Sequence, residues 1–338
     1  MSTSARIVWA YSVLCIVWGS TYLAIRIGVH HLPPALLGGI RFVIAGSLLV
    51  LLARRMGDRL PTAAADYRAN AIVGALLLTG ANGLVMWAEQ FVTAGVASIF
   101  VVTVALWMAV LDAVIPGSTS RPTPTQFVAL FAGFAGTILL VGTSVEELRA
   151  ADWRGPVALT IASMLWAAGS IYSQRRAPRT SGPYMNSALQ QLSGGILLLI
   201  IATATGEWSR ASFSWPGAAA VAYLIVFGSI AGFTAFVYVL RNMSATMAGT
   251  YVYANTVVAV FLGWALLGEP VAGRTFLAMS IVMGAVVWVR AARRRPEPER
   301  DLQAPRRASS DVRHSAAGNT SVIGLLTEDP DQAGPPHG

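Results

Sequence analysis

The chain has 338 residues, 55% of them hydrophobic and only 12% charged, where ordinary soluble domains carry about a quarter charged residues. That mix, with a mean hydropathy of +0.59, excludes a soluble globular domain, and the apolar content excludes disorder for most of the chain. One cysteine, Cys15, excludes an internal disulfide framework; with His30, His31, His314 and His337 as its histidines, the chain offers no metal-ligand set and calls for no cofactor.

Ten apolar segments follow in chain order: 7–28, 34–53, 70–91, 95–115, 124–143, 155–174, 184–205, 216–240, 246–267 and 271–291. Each approaches the roughly 20 residues that a bilayer core requires of a helix. Continuous runs such as Gly46–Ala53 and Gly195–Ala202 read as helical spans, not as the alternating strands of an outer-membrane barrel. The first segment is too long for a signal peptide, lacks a small-residue cleavage site and carries Arg26 near its end, so it reads as the first span. The expected class is an all-α polytopic membrane protein whose partners are the lipid bilayer and a small-molecule substrate.

The net charge of +8 rests on arginine alone, since the chain has no lysine. The arginines sit between the apolar segments and in the C-terminal stretch. That placement is a topology signal and not a nucleic-acid groove. With the N-terminus in the cytoplasm, Arg6, Arg54, Arg55, Arg59, Arg68, Arg121, Arg175, Arg176, Arg179 and Arg241 fall inside, against Arg149, Arg154, Arg210 and Arg274 outside. Both termini are therefore expected in the cytoplasm of an inner-membrane protein. Trp9 and Trp288 are placed at the inner interface, and Trp153, Trp208 and Trp215 at the outer one. From Arg293 the composition turns polar, and 293–338 is expected to be a disordered cytoplasmic tail whose basic start rests on anionic headgroups.

The chain repeats itself. Gly19-Ser20-Thr21-Tyr22, with Arg26, returns 150 positions later as Gly169-Ser170-Ile171-Tyr172, with Arg176, and Pro33 returns as Pro183. Two halves, 1–148 and 149–292, then hold five spans each. An odd number forces the second half to enter the membrane from the opposite face, which makes an inverted repeat with its solute site near the midplane.

Trp18-Gly-Ser-Thr-Tyr22, Ile40-Arg41-Phe42, Ala88-Glu89-Gln90, Val257–Gly263 and Leu266-Leu-Gly-Glu-Pro270 resemble the EamA-type exporters of the drug/metabolite transporter superfamily. The resemblance covers about 1–292. It implies a ten-helix inverted-repeat carrier exporting amino acids, metabolites or drugs on an ion or substrate gradient. It also implies a central cavity formed by spans 1–4 and 6–9, with spans 5 and 10 as peripheral scaffolds. Two prolines of the family pattern are absent, at Thr103-Val104-Ala105-Leu106 and at Asn255-Thr256-Val257. Thr256 is expected to stand in for the second through a hydroxyl bond to an upstream carbonyl.

A charge inside a span costs about 2.5–3.5 kcal/mol on insertion scales. Arg41 has two readings, recognition of an anionic group or a structural pairing. Glu89 shares a helix face with Asn82 and Met86 and has two as well, a protonatable coupling residue or an ion pair with Arg41 or Arg26. Trp18, Tyr22 and Arg26 also share a face, and Trp107, Trp166, Tyr172, Tyr251 and Tyr253 extend an expected aromatic lining. Ser20, Ser170, Asn186, Gln190 and Asn255 are the uncharged donors expected beside it, while Asp112 and Glu269 read as interfacial caps.

The function expected is a secondary active transporter working by alternating access, exporting small organic solutes, coupled to protons or another ion, as a monomer or homodimer. Solute uptake or a non-transporting sensor is the alternative. An intramembrane enzyme would need a Ser–His pair, paired acids or a metal cluster in the spans, and a channel would need a charge ring or filter; the spans contain none of these.

Overall fold

In the computed structural model, residues 2–292 are described except Thr93, 117–120, 143–148, 150–151, 179–180, Phe213 and 268–272; the side chains of Tyr22, Leu23, Arg26, Ala94, Gly95, Gly263, Leu266 and Leu267 are also excluded. The expected tail, Arg179 and Glu269 thus lie outside the described residues, as do the side chains of Tyr22 and Arg26. What is described is helical, without strand. The helices are α1 (Thr3–Val29), α2 (Pro34–Arg55), α3 (Ala64–Ala88), α4 (Ala94–Val102 continued by Val104–Val114), α5 (Pro124–Val141), α6 (Arg154–Arg176), α7 (Pro183–Ala204), α8 (Trp215–Asn242), α9 (Ala245–Gly249 continued by Tyr251–Leu267) and α10 (Gly273–Ala291).

Nine helices among the described residues, all but α1, are long and apolar enough to cross a membrane. The 27 residues of α1 rise about 40 Å, which also exceeds the bilayer core. The helix ends follow local chemistry. Pro34, Pro124 and Pro183 start their helices, where a missing N–H is harmless. Thr123 and Gln126 close a reciprocal capping box on α5, and Gly142 ends that helix at φ 67°, a backbone state glycine adopts without penalty. The α3 span begins at Ala64, before the expected 70, because the polar turn around Asp66 and Asn70 is already helical.

Equivalent helices of the two halves share the same irregularities. A π-helical stretch occupies Ala75–Asn82 in α3 and Leu224–Phe233 in α8. The helix is interrupted at Thr103 in α4 and at Thr250 in α9. At both breaks the threonine hydroxyl donates to the carbonyl three residues earlier, Phe100 and Met247, at 2.5 and 2.7 Å. These breaks occur without proline; a side-chain hydroxyl bonded back to the helix is known to bend it. Thr256 makes the expected bond, to the Val252 carbonyl at 3.0 Å.

The halves interlock. The α1 helix packs on α8 and α9, and its counterpart α6 packs on α3 and α4. The α2 helix packs on α7, and α5 on α10. Both of these pairs run antiparallel: Gly39 faces Leu199 while Gly46 faces Leu192, and Gly136 faces Ile281 while Gln126 bonds the Val289 carbonyl. The α2–α7 approach depends on absent side chains. A Cβ at Gly46 would sit 2.9 Å from the Leu192 backbone nitrogen, and one at Gly195 2.8 Å from that of Val43; small residues at such crossings let backbones close in.

Two carboxylates fasten this pair reciprocally. Glu207, after α7, accepts from the Leu36 amide in the first turn of α2 at 2.8 Å. Asp58, after α2, accepts from the Met185 amide in the first turn of α7 at 3.2 Å. Each half thus supplies the anion for the amino-terminal dipole of the other half's second helix. The two caps lie at opposite ends of the bundle. The Asp58 end also holds Tyr11, Asp112, Arg175, Arg241 and Thr246. Arg175 donates there to the carbonyls of Ile115 and Pro116, and Thr246 to Asp112 at 3.2 Å. Arg6, Arg54, Arg55, Arg68 and Arg290 sit on helix ends facing the same way, so this is the basic end of the bundle.

Candidate functional site

A cavity of about 120 Å³ lies where the halves meet. It is lined from α1, α2, α3, α4, α6, α8 and α9, so α7 alone among the expected spans 1–4 and 6–9 adds no lining residue among those described. Among the described α1 side chains, Trp18, Thr21 and Ile25 reach it; the expected Tyr22 and Arg26 lie outside the described side chains. Both π-helical stretches contribute, through Leu78, Ala81 and Asn82 on one side and Gly228 and Phe233 on the other. Such bulges are frequent at functional sites, because they re-aim side chains within a helix.

Arg41 is the cation of this cavity among the described residues and is only 6% exposed. Its Nε donates to the Ser229 hydroxyl at 2.8 Å, and its guanidinium lies 4.9 Å from the centre of the Phe42 ring. Among the described residues no ion pair joins it to Glu89, although both line the same space. The sequence alternative of a structural Arg41–Glu89 pair is therefore not what the geometry contains. A guanidinium bonded through one nitrogen keeps its other N–H groups for a guest, and in a dry surrounding a charge attracts its opposite far more strongly than in water. Gly228 makes room for it: a Cβ there would stand 2.7 Å from an Arg41 terminal nitrogen.

The floor is aromatic. Trp18 meets Trp166 edge-on at 5.5 Å and Tyr251 at 5.2 Å, and Phe236 closes the cluster at 5.3 Å from both tryptophans. The Trp18 indole donates to the Gly228 carbonyl at 2.9 Å. Trp166 is 9% exposed, and its buried indole Nε1 has no acceptor among the described residues. A buried donor left so costs about 1–3 kcal/mol. Asn255, with its amide nitrogen turned toward them, donates to the carbonyls of Tyr251 at 3.0 Å and Cys15 at 3.1 Å, tying α9 to α1. Asn82 lines the cavity while donating to the Leu77 carbonyl at 3.1 Å within its own π stretch.

The structure thus brings Trp18, Arg41, Asn82, Glu89, Trp166, Tyr251 and Asn255 together around one space. The other expected contacts whose side chains are described lie elsewhere. Ser20 bonds Tyr223 at 2.6 Å, and the Ser170 hydroxyl is turned into its own helix, onto the Trp166 carbonyl at 2.6 Å. Met86 fills the space over Gly38 between α2 and α7. Trp107 and Tyr172 pack against the main apolar core. Tyr253 is wholly buried and donates to the Leu130 carbonyl at 2.7 Å. Gln190 and Asn186 are joined through Asn70, which donates to Asn186 at 3.0 Å and accepts from Gln190 at 3.0 Å. Residues not singled out from sequence include Thr21, Phe42, Ser163 and Gly228.

Comparison with known proteins places this arrangement. The family described as "EamA-like transporter family" matches twice, over residues 6–142 and 153–291. Over 281 residues the chain is 38% identical to the "Uncharacterized inner membrane transporter YedA" of Escherichia coli K12, covering 83% of this chain and 89% of that one. It is 24% identical over 280 residues to the "Uncharacterized transporter YoaV" of Bacillus subtilis, covering 80% and 90% respectively. A solved crystal structure superposes with a TM-score of 0.71 at 20% identity, covering 87% of this chain and 100% of the other, a likeness of fold.

Proposed function

The chain belongs to the EamA-like transporter family, and from that membership we propose that it is a secondary active carrier exporting small organic solutes across an inner membrane by alternating access. The observation that carries this reading is the cavity between the halves, with Arg41 on its wall and an aromatic floor that includes Trp166. The substrate we propose presents an anionic or strongly accepting group to Arg41 and Trp166 and a flat or apolar body to Trp18 and Tyr251. Asn82 and Asn255 complete the contact set. Glu89 faces the same space without an ion-pair partner among the described residues, and we assign it the coupling role, with a proton as the coupled ion.

The transport cycle we propose exchanges two inverted five-helix units, 1–148 and 149–292, about the α2–α7 contact, with both termini in the cytoplasm. The antiparallel α2–α7 and α5–α10 pairs, the twofold family match and the basic end of the bundle support it. Catalysis has no part in this reading. Counterflow of candidate amino acids, metabolites and dyes into liposomes holding the purified chain tests it. Saturable counterflow that Arg41→Ala abolishes, with membrane insertion unchanged, is the expected result. Binding without counterflow would make the protein a sensor, full activity of Arg41→Ala would return Arg41 to a structural role, and accumulation against the proposed direction would make it an uptake carrier.

A further inference from the structure

A second cavity, of about 370 Å³, lies apart from the first at the basic end of the bundle. It is enclosed by the first turns of α1 and α9 and the last turns of α8 and α10. Its sides are mainly apolar, formed by Ile7, Val8, Met243, Met247, Val286 and Val289, with Ser4 and Asn242 as polar members of the lining. On its inner wall the Tyr11 and Thr250 hydroxyls bond each other at 2.7 Å, and Thr250 donates onward to the Met247 carbonyl at 2.7 Å. Both hydroxyl protons are therefore used within the wall. The exposed Arg290 supplies the cation at the mouth, and no ion pair involves it among the described residues.

The level at which this crevice opens identifies its surroundings. Trp9 and Trp288 are 65% and 43% exposed on α1 and α10 beside it, and exposed tryptophans near span ends mark the headgroup layer. An apolar slot that begins at that layer and carries one guanidinium at its mouth is complementary to an acyl chain below an anionic headgroup. It has room for on the order of a dozen water-sized groups at about 30 Å³ each. A single exposed guanidinium holds a free anion poorly; the apolar walls add the selectivity for a molecule with a tail. We propose that this crevice binds one anionic phospholipid, headgroup on Arg290 and one chain between α1, α9 and α10. The bound lipid braces α1 against α9, two helices that also line the central cavity.

The test uses the full chain, delipidated in non-ionic detergent, with thermal stability and native mass spectrometry as readouts. Phosphatidylglycerol is expected to raise the melting temperature and remain as a one-lipid adduct, while phosphatidylcholine and inorganic phosphate do neither. Arg290→Gln is expected to weaken phosphatidylglycerol retention about fivefold, the effect of one surface cation on an anionic lipid. Arg290→Lys restores it. Val286→Trp, which fills the slot but keeps the charge, abolishes the adduct. Arg68→Gln removes an exposed arginine from the same end outside the crevice and leaves retention unchanged. Equal losses from Arg68→Gln and Arg290→Gln would reduce the effect to diffuse surface charge. Stabilisation by phosphate alone, equal stabilisation by phosphatidylcholine, or an undiminished adduct in Val286→Trp would each overturn the proposal.

Discussion

Removing the two reciprocal caps one at a time and together measures how the halves hold each other. In Glu207→Ala the Leu36 amide loses an anionic acceptor at 2.8 Å in a site where Glu207 is 8% exposed. Loss of a cap costs about 0.5–2 kcal/mol, and a buried amide left unpaired costs about 1–3 kcal/mol, so about 2 kcal/mol is expected. For a chain of this size each kcal/mol moves the melting temperature by about 2–4 °C, which gives a fall of about 4–8 °C. Glu207→Gln keeps an accepting oxygen and loses only the charge–dipole part, about 0.3–1 kcal/mol, or about 1–3 °C. Asp58 is less buried and its bond is longer, 3.2 Å. Water can replace it in part, so Asp58→Ala is expected to lower the melting temperature by about half as much as Glu207→Ala. The two sites share no contacts and lie at opposite ends of the bundle, so the double variant should be additive within about 0.5 kcal/mol. The assay is thermal unfolding of purified variants in one detergent. A Glu207→Ala melting temperature within about 1 °C of the parent, or an equal fall for Gln and Ala, would show that the amide is not capped by this carboxylate.

Three further outcomes are expected. Gly228→Ala introduces a Cβ 2.7 Å from the Arg41 guanidinium and 3.2 Å from the Thr21 methyl; the guanidinium must move aside, and solute affinity should fall about tenfold or more, the factor about 1.4 kcal/mol gives, while expression stays normal. Unchanged counterflow affinity in that variant would separate Arg41 from the solute. Glu89→Gln should flatten the pH dependence of flux in liposomes and leave solute binding intact; a pH profile like the parent's would move coupling to another group. Truncation after residue 295 should leave counterflow at the parental rate, and an inactive truncated chain would assign the tail a role in transport.

The spans were legible because bilayer thickness dictates their length and arginine marks their ends. The repeat was legible at Gly19–Tyr22 and Gly169–Tyr172 for the same reason that both π stretches and both helix breaks recur in the structure: one local design is used twice. On α1 only Trp18 of the expected stripe is described at the cavity, and Thr21 and Ile25 join it there through the packing of α1 on α8 and α9, a tertiary choice that no local pattern announces. Polar residues were over-assigned to the cavity because a hydroxyl or amide in a span has an alternative use. Ser170 turns its hydroxyl onto its own helix and Gln190 joins Asn70 on another. The break at Thr103 and Thr250 carried no proline to announce it. The caps on Leu36 and Met185 were beyond any local pattern, since their partners lie 171 and 127 positions away.

The first of those distances sets an order of events during synthesis. The opening turn of α2 receives its acceptor from a residue 171 positions downstream. When the ribosome has delivered the first five helices to the membrane, that turn is still incomplete, and it stays so until α7 has been inserted and Glu207 follows it. The opening turn of α7, by contrast, finds Asp58 already waiting. Maturation of the amino-terminal half therefore ends only after the first two helices of the carboxy-terminal half have been translated.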